Sequence, residues 1–187
     1  MSRAVSVIVC TRDRPQDLRN ALPAILATNY RDFELVVIDQ SVGDETSEIV
    51  AAAAAQDPRV RHVRDRGKGL SRARNIGIAE TTGELIVFTD DDCEPDAEWL
   101  GTIVQALQED ETAAAAFGSV VPAPCDPRDG FIVGYLPKRR QRLTGRLAKM
   151  RDQGIGANMA LRRSSLASAM RASVRDTSGS SEPQSAR

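Results

Sequence analysis

The sequence predicts an α/β sandwich built on a mostly parallel sheet, and three observations predict it. First, Val5-Ser6-Val7-Ile8-Val9-Cys10, Glu34-Leu35-Val36-Val37-Ile38-Asp39 and Leu85-Ile86-Val87-Phe88 are short, continuous, β-branched apolar runs. Such runs are the signature of central parallel strands buried on both faces. Second, the stretches between them carry apolar residues at helical spacing. Third, polar residues follow each run: Thr11-Arg12-Asp13-Arg14, Asp39-Gln40-Ser41 and Asp90-Asp91-Asp92. Sheets of this kind bind ligands in the crevice beyond the carboxyl ends of their strands, so three polar strand ends are expected to converge on one edge.

The elements follow in order. After the first strand, Leu18, Leu22, Ile25 and Leu26 recur at helical spacing, with Asp13 available as a cap, Pro15 early in the helix and Pro23 expected to kink it. Asp44-Glu45-Thr46 opens a second helix through Ile49-Val50 and Ala51 to Ala55, and Arg59 to Val63 supplies a short strand. A helix from Ser71 to Glu80 leads into the acidic strand, and Asp96 caps another that carries Leu100, Ile103, Val104 and Leu107. Ala114 to Val121 is a further candidate strand and Pro122 to Pro127 a loop. Lys138-Arg139-Arg140-Gln141-Arg142 with Arg146, Lys149 and Arg151 forms a basic stretch. Residues 1–170 read as one domain, and residues 171–187, dominated towards their end by Ser, Gly, Pro and Gln, as a disordered tail.

A chain of 187 residues suffices for one sizeable core, and 25 basic against 26 acidic residues give no global attraction to nucleic acid, so any electrostatic function is local. Cys10, Cys93 and Cys125 form no C-x-x-C pair, which argues against a disulfide framework or a zinc site and for a reducing compartment. Neither a signal segment nor a membrane-spanning apolar run is visible, and a cytoplasmic location is expected.

Three carboxylates directly behind an apolar strand repel one another, and a divalent cation such as Mn2+ or Mg2+, which takes oxygen ligands, is a reason to tolerate them. The plain alternative is that they cap the helix near Asp96. In an α/β crevice the cation would face a ligand with oxygens of its own, and a nucleotide diphosphate matches best. Asp39 can accept a hydrogen bond from a nucleobase imino group, and Thr11 and Arg12 stand at the neighbouring strand end. Gly67-Lys68-Gly69 precedes a helix whose N-terminus favours anions, with Arg74 one turn inside; the loop lacks G-x-x-x-x-G-K-[ST].

Val5 to Arg14, Val36 to Ser41, Ala73-Arg74-Asn75-Ile76-Gly77, Phe88 to Asp92 and Gly156-Ala157-Asn158-Met159-Ala160-Leu161-Arg162-Arg163 together resemble a family 2 glycosyltransferase. The resemblance covers roughly residues 4 to 170 and is specific as an ordered set. It implies the GT-A fold, a Rossmann-like α/β/α sandwich. It also implies transfer of a sugar from a nucleotide-diphosphate donor to the hydroxyl of a glycan, lipid-linked or small-molecule acceptor, usually with inversion. On the matching positions, Asp39 would recognise the base, Thr11 and Arg12 would border the nucleotide, and Arg74 would assist the donor. Asp90 with Asp92 would form the D-x-D motif for ribose and metal, with Asp91 as its middle residue.

The chain departs from that pattern after Arg163. The family continues into an aromatic and acidic loop and an acidic motif that supplies the general base, whereas here Ser164 to Met170 runs into the polar tail. The expectation is a C-terminally shortened domain whose base is not visible. Glu109-Asp110 lies too early in the chain to serve and reads as solvated, and His62, the only histidine, reads as structural. Two other functions stay open: a nucleotide-sugar-binding remnant without turnover, and a receiver-like phosphoryl-transfer domain. The acids of the latter should gather at the first and third strands. The basic stretch Lys138–Arg151 reads either as solvated surface or as a contact for an acidic acceptor or the periphery of an anionic membrane.

Overall fold

The computed structural model describes residues 4–123, 134–144 and 154–166. In chain order the elements are β1 (Val5–Thr11), α1 (Pro15–Leu26), β2 (Phe33–Asp39), α2 (Glu45–Gln56), β3 (Val60–Arg64), α3 (Leu70–Ala79), β4 (Leu85–Asp90), α4 (Trp99–Gln108), β5 (Ala115–Phe117) and β6 (Asn158–Arg162). They build one six-stranded sheet in the order β3-β2-β1-β4-β6-β5. The first four strands in that order are parallel, and β6 runs antiparallel to both β4 and β5.

The continuous apolar runs are explained by burial on both sheet faces. Val5, Val7, Val9, Leu35, Val37 and Val87 pack with Leu18, Leu22 and Ile25 of α1, Val50 of α2, and Leu100, Ile103, Val104 and Leu107 of α4. The alternate residues Ile8, Val36, Ile38, Ile86 and Phe88 pack on the other face with Ala73 and Ile76 of α3. Gly77 of α3 is fixed by this packing, because a Cβ there would come 2.5 Å from the Ile8 Cγ2 atom.

Several expectations change. Asp13 does not cap α1: it adopts φ +54° and its carboxylate accepts from the Val42 N–H at 2.9 Å, while its own N–H donates to the Ser41 Oγ. These two bonds tie together the loops that follow β1 and β2. Helix α1 runs through Pro23 to Leu26. Ala114 to Val121 is not one strand; only Ala115–Phe117 pairs with β6, and Val120 then bridges to Tyr135. Asp96 stands before α4 as expected, its carboxylate accepting from the Glu98 N–H at 2.8 Å. Cys125, Arg146, Lys149, Arg151 and the expected tail at residues 171–187 lie outside the described residues.

β6 had no counterpart among the expected strands. Its last residue, Arg162, and the next one, Arg163, explain why it sits where it does. Arg162 donates to the Leu107, Asp110 and Ala113 carbonyls behind α4, and Arg163 donates to Ile78 O, Gly83 O and Thr81 Oγ1 behind α3. A guanidinium at a helix C-terminus satisfies carbonyls that have no partner within the helix and complements the negative end of its dipole.

Candidate functional site

The parallel register lines up the predicted residues along one edge. Thr11 pairs with Asp39 across β1 and β2, and Cys10 pairs with Asp90 across β1 and β4. Two adjoining clefts open above this row. One, of about 470 Å³, is bordered by Arg12, Gln40, Ser41, Arg64, Arg66 and Lys68. The other, of about 380 Å³, is bordered by Thr11, Arg14, Gly69, Leu70, Asp90 and Asp91. Arg12 and Gln40 belong to both.

The acids at the end of β4 point in different directions, each towards an arginine. Arg74, from the second turn of α3, lies 3.7 Å from Asp90 Oδ1 and 5.4 Å over the Phe88 ring. Gly156 leaves it room, since a Cβ there would collide with the Arg74 guanidinium. Arg14 bridges Asp91 Oδ1 at 3.4 Å and Asp92 Oδ2 at 3.2 Å. The Asp90 and Asp92 side chains remain 39% and 53% exposed, whereas Asp91 keeps only 6%. Asp91 is thus almost covered where it borders the second cleft, Asp90 is partly exposed in the same cleft, and Asp92 is exposed outside both.

Burial pushes the Asp90 carboxyl up; Arg74 partly offsets it and Asp92 adds to it. Burial also raises Asp91, with Thr11 and Arg14 opposing. Burial that raises a carboxyl pKa disfavours the charged form, and a nearby cation would favour it. Among the described residues no three His, Cys, Asp or Glu side chains gather into a metal-holding cluster. Asp90 and Asp92, both partly exposed, are hard oxygen donors of the kind that Mg2+ or Mn2+ takes alongside substrate phosphates and water. Burial pushes the Cys10 thiol up to about 12, so Cys10 is a neutral wall residue rather than a nucleophile.

Asp39 is fully buried and directly precedes Gln40 and Ser41, which line the first cleft. Its Oδ1 accepts from the Ser41 N–H at 2.8 Å; its Oδ2 is 3.4 Å from Ser47 Oγ and 3.1 Å from His62 Nε2. The loop from 65 to 69 forms a second wall and is held by Asp65, which accepts from Gln40 Nε2, the Gly67 N–H and both Arg72 Nε and Nη2. Gly69 takes φ +110° at the N-cap of α3, a backbone that favours glycine, and a Cβ on Gly67 would displace the Arg72 side chain from Asp65. Arg12 borders both clefts and pairs with Asp13 at 3.4 Å.

All the predicted residues, Thr11, Arg12, Asp39, Arg74, Asp90, Asp91 and Asp92, thus collect at one edge. Sequence reasoning missed Arg14, the Asp65 clamp, the contact of His62 with Asp39, and the role of Gly156. Arg14 was within view, one residue before Pro15 in the loop after β1. The basic stretch is divided. Arg140 pairs with Glu109 at 2.6 Å and Arg142 with Asp110 at 3.2 Å, so Glu109-Asp110 anchors this segment rather than standing free in solvent. Among the described residues no helix is long and apolar enough to cross a membrane.

Comparison with known proteins gives the family and the fold. The family model described as glycosyl transferase family 2 matches residues 6–169. A glucosyl-dolichyl phosphate glucuronosyltransferase of Haloferax volcanii is 30% identical over 120 residues, which are 63% of this chain and 38% of that protein. A GalNAc(5)-diNAcBac-PP-undecaprenol beta-1,3-glucosyltransferase of Campylobacter jejuni is 30% identical over 107 residues, 56% of this chain and 35% of its own length. Among solved structures, the mannosyltransferase PcManGT from Pyrobaculum calidifontis, in complex with GDP-Man and Mn2+, superposes with a TM-score of 0.66 at 25% identity, over 90% of this chain and 47% of that one. S. aureus TarS gives a TM-score of 0.69 at 18% identity, over 91% of this chain and 49% of that one. The chain spans less than half the length of each of these relatives.

Proposed function

This chain belongs to glycosyl transferase family 2 and has its GT-A fold, and from that premise we propose that it binds a nucleotide-diphospho-sugar and donates the sugar to an acceptor hydroxyl with inversion. One observation carries the reading: Thr11, Arg12, Asp90 and Asp91 line adjoining clefts at the carboxyl edge of the sheet, with Asp39, Arg74 and Asp92 next to them. A receiver-like domain is disfavoured, because the acids end the second and fourth strands in chain order.

In this reading the first cleft takes the base and ribose and the second takes the diphosphate and sugar. Asp39 organises the base subsite, and Thr11 and Arg12 border the nucleotide. Arg74, packed on Phe88, presents a fixed positive charge to the diphosphate. Asp90 and Asp92 supply hard oxygen ligands for Mn2+ or Mg2+, with Asp91 buttressing them from below. A divalent cation bound there neutralises charge on the departing diphosphate. The Mn2+ and GDP-Man held by PcManGT support this assignment. Lipid-linked or glycan acceptors are the class suggested by the names of the curated relatives. Lys138 and Arg139 are candidates for contact with an anionic acceptor or membrane periphery, since Arg140 and Arg142 are already paired.

The test is incubation with UDP-, GDP- and dTDP-sugars and Mn2+. Release of nucleoside diphosphate supports the transferase, metal-dependent binding without release supports a donor-binding module without turnover, and no binding of any donor refutes the reading.

A further inference from the structure

The Asp39 carboxylate has no exposed surface and lines neither cleft, yet it sits directly under the residues that do. A buried carboxylate is tolerated only when its oxygens are hydrogen-bonded. Oδ1 has the Ser41 N–H at 2.8 Å. Oδ2 has a hydroxyl at 3.4 Å, a long contact, and His62 Nε2 at 3.1 Å. Because an ionised carboxylate only accepts, the His62 nitrogen facing it carries the proton. The sheet dictates this contact: His62 is in register with Val37, so its side chain rises on the same face as Val37 and Asp39, diagonally across from the latter.

From Asp39 the constraint passes into the cleft floor. Oδ1 fixes the Ser41 backbone, the Ser41 hydroxyl meets Thr46 Oγ1 at 3.0 Å and accepts from the Asp13 N–H, and Asp13 in turn holds Val42. Both loops that border the nucleotide therefore depend on one buried carboxylate, whose Oδ2 has His62 as its closer side-chain donor. We propose that His62 is a positioning residue for nucleobase recognition: through Nε2 it holds Asp39, and through Asp39 it holds the Ser41–Val42 wall of the base subsite. The inference rests on the assignment of the first cleft to the base, and it gives the chain's only histidine a specific task.

The experiment compares calorimetric binding of UDP, GDP and dTDP with that of inorganic pyrophosphate, all with Mn2+, in the wild type, His62→Ala and His62→Gln, with melting temperatures alongside. Pyrophosphate probes the second cleft alone. Loss of the His62 donor is expected to weaken the preferred nucleotide by about tenfold, the scale of one hydrogen bond to a charged group. Pyrophosphate binding should be unchanged, and His62→Gln, whose amide can donate from the same place as Nε2, should restore the nucleotide to within about twofold of wild type. Equal weakening of nucleotide and pyrophosphate, or a lowered melting temperature with an unchanged ratio between them, would overturn the positioning role and leave the donor site standing. Wild-type binding of pyrophosphate but of no nucleotide would overturn the base assignment itself and the inference with it, as would binding of none of the probes.

Discussion

Replacing Gly156 with alanine should weaken donor binding through Arg74 while leaving the fold nearly intact. The new Cβ would run into the Arg74 guanidinium, the far end of a flexible side chain, so the arginine gives way and the backbone stays. Displaced, Arg74 loses its place over the Phe88 ring and beside Asp90, 3.7 Å away. Opposite unit charges at that separation attract by about 4.5 kcal/mol at an effective dielectric of 20. With the Asp90 side chain 39% exposed, solvent screening reduces such a pair to about 1 kcal/mol or less, and the contact with the ring adds about 0.5–1 kcal/mol. Losing about 1–2 kcal/mol of preorganisation corresponds to about five- to thirtyfold weaker binding of the nucleotide sugar. Calorimetry of UDP- and GDP-sugars with Mn2+ should be run on the wild type, Gly156→Ala, Arg74→Gln and the double variant. If glycine acts through the arginine, the double variant binds no worse than Arg74→Gln. Additive losses, or wild-type affinity in Gly156→Ala, would refute the coupling.

Arg163→Ala removes one bond to the last turn of α3, at 2.8 Å, and two to the connection behind it, at 2.6 and 2.9 Å, and should lower unfolding free energy by about 2–3 kcal/mol in urea titrations; a loss below about 0.5 kcal/mol would contradict the capping role. Asp65 is held well below the ordinary aspartate value near 3.8 by Arg72 first, then Gln40. A depressed folded pKa contributes stability that is fully present above the unfolded value and lost as pH falls through the folded one. The stability gap between the wild type and Asp65→Asn should therefore be constant near neutrality and shrink only below about pH 4, and a gap independent of pH down to 2 would count against it. Asp90 moves the other way, its carboxyl raised by burial from 3.8. Protons should therefore compete with Mn2+ above the ordinary aspartate range, and in a paramagnetic-resonance titration with UDP present the affinity should be halved at a pH above 3.8; a half-point at or below that value would sink the argument.

The central strands were legible because burial on both faces forces unbroken apolar runs, and a run of β-branched residues has few other uses. The site was legible for a related reason: polar residues that interrupt such runs at their carboxyl ends have only the crevice to face. What pattern could not reveal was competition between partners. Asp13 has the spacing of a helix cap, but the Val42 N–H from the next loop takes its carboxylate. Asp39 ends β2 in view of the sequence, but its partners Ser41, Ser47 and His62 could not be read from spacing. β6 escaped notice because only Ala160 in it is fully buried, so it lacks the continuous apolar signal of its neighbours.

The segment from Gly156 to Arg163 shows why a motif at a functional edge need not be chemistry. Gly156 gives Arg74 its room; Asn158 pairs with Thr89 in the sheet and donates to the Ser119 carbonyl; Arg162 and Arg163 satisfy the open carbonyls behind α4 and α3. None of these contacts requires a substrate. Together they close the sheet against β4, the strand that ends in Asp90, and fix the arginine that faces that acid. A substitution in this segment should therefore reach the donor in one of two distinguishable ways. At Gly156 it acts on Arg74, changing affinity at constant stability; at Arg163 it acts on α3, changing stability first, with affinity following only as the helix that carries Arg74 loosens. The aspartates of the cleft edge can be read from the sequence, but the scaffold that aims them is visible only when β6 is placed beside them.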